Sequence, residues 1–174
     1  MRSTDQGGAT QDLQFLDRTS IRLGGSTYRW LDLKRFSLET EMGHADAISA
    51  LVRHVRYRDT YCAPADLWEP AVDIHGPYWL HRITVEAFKP TTRGSAKAVI
   101  AEWAHEYGQP GEVNLPALTD AAYAVFDAAS AVFELADLRA WAQHEWGFVL
   151  GDFHEFVTLD RARHTLTLVV ASED

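Results

Sequence analysis

An α+β fold is expected: a largely antiparallel sheet built from hairpins in the order ββ-α-ββ-α-α-ββ, with helices packed on one face. Three patterns carry that expectation. Residues 153–171 (FHEFVTLDRARHTLTLVVA) alternate with period two on either side of a charged connection of hairpin length, Asp160 to Arg163. Residues 44–57 and 95–107 repeat apolar side chains at helical spacing. The strands fall in neighbouring pairs with helices as long insertions between them, which favours antiparallel pairing.

In chain order, residues 1–12 are polar and glycine-containing and read as a disordered tail, leaving 13–174 as a single domain. Thr19–Leu23 and Thr27–Leu38 flank Gly24-Gly25-Ser26, a tight-turn signal. The second arm is apolar on both sides, with Trp30 and Phe36 on one and Leu31 and Leu33 on the other. It reads as a strand covered on both faces, or as one bulged near Lys34-Arg35. The first helix, 44–57, points Ile48, Leu51, Val52 and Val55 one way. Pro64 and Pro70 mark an irregular connection over 59–69.

A second hairpin is expected over Val72–His75 and Tyr78–Phe88, turning at Gly76-Pro77, with Trp79, His81, Ile83 and Val85 on one face. Helix 95–107 stops at Gly108 and Pro110. An alanine-rich helix spans 119–136, and a short one follows over 138–146 or continues it. Gly147 and Gly151 release the chain into the final hairpin. There, Leu159 opposite His164 would set Val157 opposite Leu166, Glu155 opposite Leu168 and Phe153 opposite Val170.

Composition bounds the function. A chain of 174 residues, 47% hydrophobic and 24% charged, is globular. One cysteine precludes an internal disulfide, and no secretory signal is visible, so a cytoplasmic protein is expected. The longest apolar run, Ala121–Phe126, is six residues, against the ~20 needed to span a bilayer. Net charge is −9, and residues 59–174 hold seven Lys/Arg against eighteen Asp/Glu. That acidity repels nucleic acid and favours a basic protein partner, or serves solubility alone.

Glu155 is the one carboxylate on the apolar face of the final hairpin. Paired with His81, which projects from another apolar strand face, it would make an acid–base couple. If both sit at strand ends, they are merely solvated. Arg35 or Arg82 would then hold an anionic small molecule, with Trp68 or Trp79 as a wall, in a pocket between the sheet and helix 119–136. Trp68, Trp79, Trp141 and Trp146, with Tyr61 and Tyr78, would line a groove or fill core.

Eight histidines invite a metal, but HExxH is absent and one cysteine cannot build a thiolate site, so none is assigned. Cys62 could be a loop nucleophile with a histidine as base, but it lacks a hydrolase signature and reads as a small buried residue. GxGxxG, GxxxxGK[ST] and GxSxG are missing, and no cofactor is implied. The leading expectation is macromolecular binding, as in an immunity, antitoxin or regulatory protein. The alternative is a small enzyme or ligand-binding protein using Glu155 and His81.

Overall fold

The computed structural model describes residues 13–24, 28–62, 69–106 and 115–173. The expected tail, Gly25-Ser26, Trp68 and the helix stop at 107–110 lie outside the described residues. The strands are β1 (Phe15–Arg22), β2 (Arg29–Ser37), β3 (Ile74–His75), β4 (Tyr78–Trp79), β5 (Phe88–Thr91), β6 (Ala131–Leu135), β7 (His154–Asp160) and β8 (Thr165–Glu173). Between them stand α1 (His44–Arg53), α2 (Arg93–His105) and α3 (Leu115–Leu118). A π-helical turn, Thr119–Tyr123, joins α3 end to end with α4 (Ala124–Ala128). None of the described helices is long and apolar enough to cross a membrane.

Six strands form one antiparallel sheet in the order β1-β2-β8-β7-β6-β5, and β3 and β4 form a separate small pair. The fold class is therefore the expected one. The C-terminal hairpin lies at the centre because β8 pairs with β2 over nine residues. Lys89 and Pro90 fall on the edge strand β5, where a missing backbone N–H costs no ladder bond.

Period-two alternation gives the sheet two buried faces. On one, Trp30, Phe36, Val157, Leu168 and Val170 pack with Ile48 and Leu51 of α1. On the other, Leu31, Leu33, Phe156 and Val169 pack with Ile100 and Trp103 of α2 and Phe126 of α4. The helices thus divide between the faces, where the sequence suggested one. β2 is indeed covered on both sides, and the irregularity expected near Arg35 lies in its partner, between Phe15 and Asp17.

Several segments differ from expectation; helix 44–57 stops at Arg53 and gives way to a 3-10 turn at Val55–Tyr57. Helix 119–136 ends at Ala128, Ala129 turns extended, and Val132 and Phe133 enter β6 between β5 and β7. Alanine propensity holds only the first half; the β-branched and aromatic second half gains more from two strand partners. The arm 78–88 leaves β4 after Trp79 for 3-10 turns at Leu80–Arg82 and Val85–Ala87. Residues 138–146 hold one 3-10 turn, Ala140–Ala142, in place of a helix. In the final hairpin Glu155 lies opposite Val170, not Leu168, a slip of two residues that keeps every side chain on its expected face.

Gly76 has φ +51°, and a Cβ there would stand 2.5 Å from the Phe153 ring. Gly76→Ala should therefore cost about 2 kcal/mol or more, lowering Tm by roughly 4–8 °C. Gly94→Ala, whose Cβ would meet nothing closer than 3.9 Å, should not lower it. Thermal melts of both variants check this, and equal Tm values would contradict the packing.

Candidate functional site

Glu155 does sit on the apolar face, and it is sealed there: its side chain and that of His75 have no exposed surface. Its partner is not His81. Glu155 Oε2 lies 2.7 Å from His75 Nε2, and Oε1 accepts from the Tyr57 hydroxyl at 2.7 Å. His75 reaches it from β3, just before the Gly76 turn. Tyr57 ends a 3-10 turn, Val55–Tyr57, whose start is capped by His54 accepting from Arg56 N. The Tyr57 and His75 rings stack 3.6 Å apart.

The hydrogen bonds fix the proton count. His75 Nδ1 bonds the Tyr57 carbonyl, which only accepts, so Nδ1 carries a proton. One further proton then lies between Nε2 and Oε2, on the imidazole as an ion pair or on the carboxyl as a neutral pair. Either way the couple has no net charge, which suits a site without water. Burial, followed by the neighbouring Glu155, raises the Tyr57 hydroxyl well above its usual range and keeps it a donor.

Beside it lies a charged network that the sequence reading passed over. Asp32 and Lys34 share the face of β2 that carries Trp30 and Phe36, and Arg18 stands across from Lys34 on β1. Arg18 Nε contacts Asp32 at 2.6 Å, Lys34 Nζ contacts Asp59 at 2.6 Å, and Arg18 Nη2 reaches Asp59 at 3.3 Å. Two cations thus meet two anions. Burial pushes the Lys34 ammonium down and the Asp32 carboxyl up, against the pull of their partners. Tyr61, at φ 59°, stacks on Trp30 and lies edge-on to His75, joining the two clusters. The visible signal was the same misfit that marked Glu155, charge at apolar alternation positions.

The other expected site residues scatter. His81 is exposed on the 3-10 turn, Trp79 stands edge-on to His144 at 5.9 Å, and Arg82 lies over the Trp141 ring at 5.1 Å. Arg35 is on the opposite sheet face, in a two-pronged bond with Asp17. Trp68 lies outside the described residues, and Cys62, expected to be buried, is exposed. Among the described residues, no three His, Cys, Asp or Glu gather as metal ligands.

Solvent meets a different feature, the loop between β6 and β7. Trp141, Trp146 and Phe148 are 61%, 67% and 71% exposed. The loop that bears them is clamped to the Gly76-Pro77 turn. His144 N donates to the Pro77 carbonyl at 3.1 Å, and His144 Nε2 to the Gly76 carbonyl at 3.0 Å. Trp146 N donates to His144 Nδ1 at 3.2 Å. Gly147 fits so closely that a Cβ would stand 2.3 Å from the Pro77 oxygen. At the foot of the loop is a hollow of about 530 Å³ whose wall includes Tyr78, Glu134, Asp137, Gln143 and Asp152. Burial raises the Glu134 carboxyl, and burial, then Asp137, raises the Tyr78 hydroxyl.

Removing one member of the sealed couple strands the other, so Glu155→Ala or His75→Ala should each cost about 3–5 kcal/mol, and the double variant less than the sum. Urea denaturation measures the cycle; additive losses would contradict a shared proton. Raised Tyr57 and Tyr61 hydroxyls make the folded chain retain protons that the unfolded chain releases. The stability they supply is full below about pH 10 and is lost as pH rises beyond it. Lys34, shifted down by burial, acts in the opposite direction there. Absorbance at 295 nm should show these two of the six tyrosines ionising only as the circular dichroism signal collapses; six ionising in the folded chain would refute it. Comparison with known proteins returns no match to a family model, to a curated protein or to a solved structure, so a role for this chain has to be argued from its own surfaces.

Proposed function

We propose that this chain acts by binding a basic protein, and that the clamped loop 139–149 with its acidic hollow is the binding surface. The outward projection of Trp141, Trp146 and Phe148 from a fixed loop is the observation that carries the reading. Large aromatic side chains held in water forgo the burial, of order 150–250 Å² each, that stabilises interfaces and cores alike. Such side chains are the usual anchors at interface centres. A loop already fixed by His144 and Gly147 loses little further freedom on docking.

The charge around it selects the partner. Glu134, Asp137 and Asp152 line the hollow, ready for a lysine or arginine from the other side. The excess of acid over residues 59–174 would steer a basic surface towards it. The Glu155–His75 couple does not enter this reading, because no surface of either side chain is open to a substrate.

The test is affinity capture with the full chain against Trp146→Ala and Phe148→Ala, at low and high salt, read by quantitative mass spectrometry. One basic protein should be retained by the parent chain and released as salt rises. Each variant should bind it at least about tenfold more weakly, with Tm moved by no more than about 2 °C, since exposed side chains add little stability. Equal capture by parent and variants, or no capture at low salt, would overturn the proposal.

A further inference from the structure

The opposite face of the sheet carries a second opening. Between the far end of that face and the π turn with α4 runs a groove of about 390 Å³, within the range of small-molecule sites. It exists because short side chains oppose each other. Thr158 and Thr167, neighbours across β7 and β8, form its floor beside Leu33. Ala121, Ala124 and Val125 form its roof. Elsewhere on this face, Phe126 fills the same interval by packing edge-on to Phe156 at 5.4 Å.

The polar atoms of the groove are left open. Thr167 is only 4% exposed, yet among the described residues its hydroxyl has no hydrogen-bond partner. The Thr158 hydroxyl makes only a long 3.4 Å bond, to the Thr167 carbonyl. Neither hydroxyl is closed off by a strong internal bond, so both can bond a molecule lying in the groove. The charges, in contrast, are mostly matched within the wall. Arg35 holds Asp17, with Nε at 2.8 Å, and Arg163 holds Asp160 at 2.8 Å. Asp120 adds a further carboxylate at the rim, which disfavours an anion.

We propose that this groove binds a neutral polyhydroxylated ring of monosaccharide size. A hydroxyl both donates and accepts, as the threonine floor requires. Each Arg–Asp pair presents spare guanidinium N–H groups beside spare carboxylate lone pairs, the pattern that two adjacent hydroxyls satisfy together. Ala121, Ala124 and Val125 offer the C–H face of such a ring an apolar surface. This site is independent of loop 139–149, and either can fail without the other.

The full chain, labelled with ¹⁵N, is titrated with D-glucose, D-galactose and myo-inositol, and separately with sodium sulfate, while amide shifts are followed. At least one polyol should give saturable shifts at Leu33, Ala124, Thr158 and Thr167, with a millimolar Kd. Thr167→Val, which keeps the shape and deletes the hydroxyl, should weaken binding about fivefold, the worth of one neutral hydrogen bond. Ala124→Phe should fill the groove and abolish binding in a chain whose circular dichroism shows it folded. Trp146→Ala should leave it unchanged. No saturable shift with any of the three polyols, saturation by sulfate alone, or binding indifferent to both groove variants would overturn the proposal.

Discussion

A sheet covered on both faces has no solvent side on which to leave a charge. The central pair, β2 with β8, is in that position along nearly its whole length, with helices on either side. Every fully buried charge on those strands and on β7 must therefore find its counterpart within the fold. Glu155 takes a proton shared with His75, Lys34 takes Asp59, and Asp32 takes Arg18. An unpaired charge in such a place costs several kcal/mol, so these contacts are conditions for burying the sheet, whatever net stability they add. Where coverage ends, the same pairing persists in looser form. Arg35 with Asp17 is half open to water, at the mouth of the threonine-floored groove.

The positions of the candidate surfaces follow from that constraint. Well-covered sheet leaves no room for a ligand, and among the described residues two openings lie at the margins of coverage. One margin is the end of the α4 face, where alanine and threonine are too short to meet. The other is the irregular stretch between β6 and β7, which carries large apolar rings without a layer to bury them in. The hollow beside the loop reaches Glu155 at its wall, but the side chains of the acid–base couple stay sealed behind it.

How much of this was legible varies with the kind of signal. The parity of the final hairpin was readable, because a two-residue slip leaves Glu155 facing the core just as surely. Asp32 and Lys34 carried an equally plain signal, charge among Trp30 and Phe36. His75 was not readable as the partner: its strand is two residues long, too short for alternation to show a face. A single strand over residues 78–88 would put His81 on the apolar face, but β4 ends at Trp79. The 3-10 turn at Leu80 rotates His81 outward. Helix 119–136 failed at Ala129 for the converse reason, since β5 and β7 decide the state of Val132 and Phe133, and pairing over that distance leaves no local mark.

The buried couple and the exposed loop are joined through one short segment. His75 is held by Glu155 and by the Tyr57 carbonyl, which fixes where the chain enters the turn at Gly76. Phe153, two residues before Glu155, packs on Gly76 from the other side. The carbonyls of Gly76 and Pro77 are then the acceptors that position His144, and the Pro77 oxygen leaves Gly147 no room for a side chain. Rigidity gained by burying a carboxylate is thus passed across four residues of turn to a loop carrying Trp146 and Phe148. A core built only of aliphatic side chains would fill the same volume, but it would lack the directional bonds that set the angle of that turn. The polar core thus holds in place a surface with which it has no chemistry in common.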